Sequence, residues 1–386
     1  MLFSSTSYRL SSYSYLCNFK KSTVLQSAKS VIHNFNSGPS ILPKEVFEKA
    51  SQAILDFNNS GLSILEIGHR TSLFQEVMDE ARALVRELMN LDNDHEVLFL
   101  HGGATTQFMQ VPMNMLNEND IASYTETGTW GNKAIKEAKF FAHVEIAGSS
   151  KDDNYTTIPK NLSVSPTAAY LHITTNETIA GTQWHNLPYN WNVPLVADMS
   201  SDILSRIIDF NKFDIIYAGA QKNMGAAGVN LVVVNKNVLG KVNKPIPTIL
   251  DYRVHIREGS MLNTPPVFAV YVALLTLRWL KEQGGVPVLE KRNIEKAKLF
   301  YNTLDNLPVF RGVVAKDDRS LMNATFVINN TSLEKEFLEL CKAEGMIGVK
   351  GHRSVGGFRV SMYNALSIES VKALTDLMKE FATTKA

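Results

Sequence analysis

One lysine in the chain sits where its chemistry would be unusual. In Ile215-Ile216-Tyr217-Ala218-Gly219-Ala220-Gln221-Lys222-Asn223-Met224-Gly225, with a second apolar run from Val229 to Val234 close behind, Lys222 falls between two stretches that read as buried strands. Held there, its ammonium would be partly desolvated, which lowers its pKa and frees the neutral amine to attack a carbonyl. The alternative is a solvent-facing lysine in a glycine-rich hairpin, so neighbouring chemistry has to decide. Asp198 ends the apolar strand Pro194-Leu195-Val196-Ala197-Asp198, at the kind of terminus where open α/β sheets bind ligands. A carboxylate there can pair with a protonated pyridine nitrogen, the interaction that lets pyridoxal phosphate act as an electron sink. It can also cap a short helix over Met199-Ser200-Ser201. Together, the strand-end Asp and the loop Lys point to a cofactor held as a Schiff base.

Further strand ends carry polar groups. His101-Gly102-Gly103-Ala104-Thr105-Thr106-Gln107 follows the strand Glu96 to Leu100 and precedes an amphipathic run, Phe108 to Leu116, that Pro112 should kink. Small residues before a helix let backbone N–H groups approach a phosphate. Neither a Walker lysine pattern nor G-x-G-x-x-G accompanies it, so a nucleotide fold has no motif support. Trp130, in Thr127-Gly128-Thr129-Trp130-Gly131, reads as a loop aromatic that stacks on a flat ring or packs in the core. Asn176-Glu177-Thr178 adds a polar cluster after another strand. The tripeptide Gly-His-Arg occurs twice, at Gly68-His69-Arg70 and Gly351-His352-Arg353, and Arg359 follows the second copy. If these groups converge they form a receptor for a dianion and a carboxylate, because guanidinium binds both bidentately. Taken singly, each pair is a solvated turn.

The elements that must position these groups follow from periodicity. Seven short apolar runs, Glu96–Leu100, Ile121–Tyr124, Ala142–Ile146, Ala169–Thr174, Leu195–Asp198, Ile215–Ala218 and Val229–Val234, alternate with helical stretches such as 72–91 and 131–139. That alternation predicts one mostly parallel seven-stranded sheet wrapped by helices on both faces. After Gly284-Gly285 a smaller α+β unit follows, with helices over 288–304, 333–344 and 368–382 and strands over 324–328 and 357–361. We therefore expect an extension over 1–32, a large cofactor-binding domain over 33–287 and a small C-terminal domain over 288–386.

Composition narrows the field. The chain has 386 residues, 45% hydrophobic and 20% charged, and 39 basic residues against 38 acidic leave no basic surplus for nucleic acid. The longest apolar stretch, Pro266 to Leu280, is interrupted by Thr276 and Arg278 and is shorter than the roughly 20 residues a bilayer demands, so it reads as a buried helix. Cys17 and Cys341 give no disulfide framework and no metal-ligand spacing, which suits a reducing compartment. Residues 1–30 hold nine serines, four basic residues and no acid. Such a tail fits an organellar transit peptide, a disordered segment, or a start of translation nearer Leu25 or Val31.

From His33 to Ala382 the chain resembles the phosphoserine aminotransferases, within the class V, fold type I pyridoxal-phosphate enzymes. The resemblance rests on Phe35-Asn36-Ser37-Gly38-Pro39, both Gly-His-Arg copies, Gly102-Gly103-Ala104 with Gln107-Phe108, Gly128-Thr129-Trp130, Asn176-Glu177-Thr178, Ala197-Asp198-Met199-Ser200-Ser201, Gly219-Ala220-Gln221-Lys222-Asn223, Asn263-Thr264-Pro265-Pro266 and Gly356-Gly357-x-Arg359. It implies that Lys222 is the Schiff-base lysine, Asp198 the partner of the pyridine nitrogen and Trp130 the ring's stacking partner. Ala104, Thr105 and Gln221 would hold the cofactor phosphate and Thr178 would lie near its hydroxyl. Asn263 and Thr264 would reach that phosphate from the other subunit of a homodimer. His69, Arg70, His352 and Arg353 would bind the substrate's distal anion, and Arg359 its α-carboxylate. The implied reaction exchanges an amino group between glutamate and 3-phosphohydroxypyruvate in the cytoplasm, with no metal and no membrane, and activity on the phosphorylated four-carbon keto acid of vitamin B6 synthesis. Ala104-Thr105-Thr106 departs from members with a glycine or basic residue there. The alternatives are a class V aminotransferase for a small unphosphorylated substrate, a cysteine desulfurase, which would need a reactive cysteine over the cofactor, and a non-catalytic cofactor-binding protein.

Overall fold

In the computed structural model, which describes residues 31–353 and 355–385, the seven apolar runs become seven strands of one sheet. They are β2 (His95–His101), β3 (Ile121–Glu126), β4 (His143–Ser149), β5 (Ala168–Thr174), β6 (Leu195–Asp198), β7 (Ile215–Gly219) and β8 (Val229–Asn235), preceded by the short β1 (His33–Asn34). The spatial order is β2-β8-β7-β6-β5-β3-β4. Pairings from β7 through β4 are parallel, whereas β8 runs antiparallel to both β7 and β2. Readings of residues 1–30, Cys17 included, lie outside the described residues.

Two-residue alternation along these strands builds two cores. Val97, Phe99, Ile216, Ala218, Leu231 and Val233 face one side, packed with α1 (Lys44–Leu55), α2 (Ser72–Leu88) and α6 (Val267–Glu282). Leu98, Leu100, Ile215, Tyr217, Val232 and Val234 face the other, under α3 (Gly103–Met115) and α4 (Thr129–Ala138). Both faces are covered, which is why the strands read as continuous apolar runs. As expected, Pro266 to Leu280 is a buried helix, α6, preceded in the chain by the short α5 (Tyr252–Arg257).

Three boundaries depart from the sequence reading. Helix α2 stops at Leu88, before Asn90 turns left-handed at φ 50°. Helix α3 begins at Gly103, so the expected phosphate cradle falls in the helix's own first turn, and Pro112 is carried inside it. Helix α4 begins at Thr129, which moves Trp130 from a loop onto a helix.

The C-terminal elements are α7 (Gly285–Asp305), β9 (Phe310–Gly312), β10 (Asn323–Ile328), α8 (Glu334–Ala343), β11 (Met346–Ile347), β12 (Phe358–Ser361) and α9 (Ile368–Lys385). Strands β12-β10-β9 form an antiparallel sheet over a third core. Phe326 and Phe358 stack in it at 5.1 Å. Strand β1 pairs in parallel with β11, and Phe35 packs into this third core. The chain therefore begins its fold against its own C-terminal part.

Candidate active site

The carboxyl ends of the parallel strands open onto a cavity of about 520 Å3. Ala104, Thr105, Trp130, Thr178, Asp198, Gln221 and Lys222 all line it, although they come from five separate stretches of chain. Pairing explains the convergence: Thr174 on β5 lies beside Asp198 on β6, and Asp198 beside Tyr217 on β7. The turn after β7 then carries Gln221 and Lys222 over the same edge.

Lys222 is buried, and its Nζ donates to Thr178 Oγ1 at 2.7 Å. Burial pulls its pKa down to about 8, with the carboxylates of Asp198 and Glu177 resisting the fall. Ser40 pins this turn, donating its hydroxyl to the Lys222 carbonyl and its N–H to Gln221 O. Asp198 is also buried, and desolvation raises its pKa against the pull of Lys222. Its Oδ1 accepts from Ser200 N at 2.9 Å, so the capping role and the ligand-facing role coexist on one side chain. Residues 199–201 form a turn rather than the helix envisaged from sequence.

The site suits a flat, phosphorylated, cationic ring. Thr174 Oγ1 and Trp130 Nε1 are buried on the cavity wall without hydrogen-bond partners. Ala104 and Thr105 occupy the first turn of α3, whose N-cap Gly102 gives no side-chain cap, and the N–H groups of such a turn suit an anion. Lys222 Nζ lies 5.5 Å from the Trp130 ring centroid.

The remaining residues divide. Arg359 on β12 reaches the rim of the cavity, donating from Nη1 to Thr178 O at 3.3 Å and from Nη2 to Ser37 Oγ at 2.6 Å. With His352 it lines an adjoining cavity of about 150 Å3. Burial, then the charges of Arg359 and Arg353, depress the His352 pKa. Asn263 lines a third cavity, of about 160 Å3, that shares Gly102 with the first, and Thr264 O bonds His101 Nε2 at 2.7 Å. His69, Arg70 and Arg353 are not among the walls of the first two cavities.

Sequence reasoning missed two participants. Ser37 anchors Arg359 across 322 positions of chain, a separation that leaves no local signal. Glu177 read only as part of a polar cluster, yet it is fully buried, and desolvation lifts its pKa to about 7 against the N–H groups of Gly131 and Trp130. Cys341 on α8 lies in the third core, where burial pushes its thiol up to about 12, and it does not touch the main cavity. Among the described residues, no acidic, His or Cys group could hold a metal ion, and no helix is long and apolar enough to cross a membrane.

Comparison with known proteins gives the family. The aminotransferase class-V family model matches residues 32–374. The phosphoserine aminotransferase of Flavobacterium johnsoniae is 56% identical over 348 residues, covering 90% of this chain and 98% of that protein. The solved phosphoserine aminotransferase of Bacillus circulans subsp. alkalophilus superposes with a TM-score of 0.90 at 43% identity, over 92% of this chain and 99% of its own. That of Trichomonas vaginalis, with pyridoxal phosphate bound, gives 0.85 at 35% identity over 90% and 100%.

Proposed function

The chain belongs to the class V aminotransferases, and to the phosphoserine aminotransferases among them, and from that premise we propose how its own residues carry the reaction. It is a pyridoxal-phosphate-dependent enzyme that moves an amino group between glutamate and 3-phosphohydroxypyruvate, giving O-phosphoserine and 2-oxoglutarate. When bound, the cofactor holds the substrate's nitrogen covalently and draws electron density from Cα into its ring. Asp198 keeps the ring nitrogen protonated. The Lys222 amine would take the proton from Cα and deliver it to the cofactor's C4′, and carry it back the other way with the keto-acid substrate, a task suited to an amine whose pKa lies near 8. Trp130 stacks on the ring, the first turn of α3 with Ala104, Thr105 and Gln221 binds the phosphate, and Thr178 orients the ring hydroxyl. Arg359 receives the α-carboxylate, since its guanidinium stands beside Thr178 and stays charged even though burial lowers its pKa.

His69, Arg70, His352 and Arg353 gather on the distal phosphate of one substrate and the distal carboxylate of the other in a homodimer, where Asn263 and Thr264 come from the partner subunit. The two substrates then take turns at one cationic receptor, so kinetics are ping-pong. The same receptor accepts the phosphorylated four-carbon keto acid. Residues 33–287 act as the cofactor-binding part and 288–386 as the smaller part bearing Arg359; a distinct C-terminal core supports the division, although Phe35 packs into that core and helix α7 runs across the boundary. The enzyme works in the cytoplasm, which its free, buried Cys341 suits.

The observation that carries this reading is the buried Lys222 on one cavity wall with Asp198 and Trp130. A panel of glutamate with phosphohydroxypyruvate, hydroxypyruvate and pyruvate tests it. We expect activity on the first to dominate, and Arg353→Ala to erode that preference. Equal rates on all three would refute a phosphate-selective site.

A further inference from the structure

Helix α4 starts without a cap of its own. Its N-cap residue, Gly128, has no side chain to offer, and the first N–H groups of a helix have no intrahelical acceptors. Glu177 supplies them from the turn after β5: Oε2 accepts from Trp130 N at 3.3 Å and Oε1 from Gly131 N at 3.0 Å. The fit is close, because a Cβ on Gly128 would stand 2.5 Å from Glu177 Cδ and one on Gly131 would stand 3.3 Å from Oε1. No hydrogen bond fixes the Trp130 indole, whose Nε1 has no partner. Lys133, 4.3 Å from the ring centroid, rides on the same helix and moves with it. The ring's attitude therefore depends on the backbone it hangs from.

We propose that Glu177 is a positioning residue: as a two-pronged anionic cap on α4, it fixes the plane in which the Trp130 indole meets the cofactor ring. The inference rests on the reading of Trp130 as the ring's stacking partner and extends it to the group that sets its geometry. Anionic acceptors at a helix N-terminus are favoured by the helix dipole, and their hydrogen bonds are stronger than neutral ones. Glu177 is also wholly buried beside Thr178, so no water competes for the two N–H groups.

The test, run at pH 8 or above where Glu177 carries its charge although desolvation lifts its pKa to about 7, uses Glu177→Gln, which keeps the shape and removes the charge, alongside Glu177→Ala. In the cofactor-free protein, amide hydrogen exchange at Trp130 and Gly131 should quicken by about tenfold in Glu177→Gln, and further in Glu177→Ala. Pyridoxal phosphate affinity, titrated in a cycle with Trp130→Ala, should fall about tenfold for Glu177→Gln when Trp130 is present and show no further fall when it is absent. Unchanged exchange, or an equal fall in both backgrounds, overturns the proposal; the latter would mean that Glu177 acts through its charge alone. Should Glu177→Ala fail to fold, the Gln variant carries both measurements. A wild-type protein that made no phosphoserine would count against the functional reading while leaving the exchange result to judge the cap.

Discussion

In the proposed reaction Lys222 concentrates the chemistry into one titration. Its neutral form would be the nucleophile, and burial takes its pKa from the usual 10.5 to about 8. At pH 7 to 8 that raises the neutral fraction on the order of a hundredfold over an ordinary lysine. The sign follows directly: capture of free pyridoxal phosphate by the cofactor-free protein, trapped by reduction at Lys222, should quicken with pH and level off above about 8. A rate that kept climbing past pH 10 would mean that the lysine is solvated. The neighbouring carboxylates shape this balance without cancelling it. Asp198 and Glu177 both favour the ammonium, and desolvation outweighs them. Lys222 and Asp198 were legible in the sequence because each ends or follows an unmistakable apolar run. Glu177 was not, because its importance comes from two N–H groups 46 and 47 positions away.

At the scale of elements, the glycine-rich stretch proposed to hold the phosphate is the first turn of α3 rather than a loop before a helix. Gly102 makes this start feasible: its φ is +94°, and a Cβ there would stand 1.9 Å from Thr106 Oγ1. An L side chain in that conformation costs about 1–2 kcal/mol before any clash is relieved. Gly102→Ala should therefore lower the melting temperature and weaken pyridoxal phosphate binding about tenfold, since the N–H groups of the turn lose their common aim. Unchanged affinity would show that the phosphate is held elsewhere. Helix α4 teaches a related lesson. Its start at Thr129 could not be read locally, because no Ser, Thr, Asp or Asn at Gly128 announces it and the cap arrives from the turn after β5.

At the scale of the molecule, the seven-stranded sheet brings the strand-end groups to one edge, and the C-terminal part brings Arg359 to the rim. A hydrogen-bonded chain ties the two together. Asn176 Nδ2 donates to Ser201 Oγ and to Asn323 Oδ1, Asn323 donates to Tyr363 OH, and Tyr363 OH donates to Ser37 O. The assembly proposed here makes a further prediction. Light scattering should return twice the 43.0 kDa of one chain. Thr264→Asp and Lys222→Ala, each inactive alone, should on mixing recover about a quarter of the wild-type rate, because half of the random dimers carry one intact shared site. No recovery would mean that Thr264 serves the cavity of its own chain.

Amino-acid order alone determined the architecture and pointed to the proposed reacting pair. Seven buried strands write themselves as seven apolar runs, because a sheet covered on both faces tolerates no polar alternation. A desolvated lysine after one strand and a carboxylate ending another admit few chemistries. What only the tertiary structure decided was how distant residues complete one another: Glu177 capping α4, Ser37 holding Arg359, β1 joining β11, and the distribution of Arg359 and His352 to a cavity apart from that of Lys222. The physical reason is that periodicity and propensity act within a few residues of chain. Caps supplied across strands, and charges paired over hundreds of positions, exist only once the sheet has set their separation.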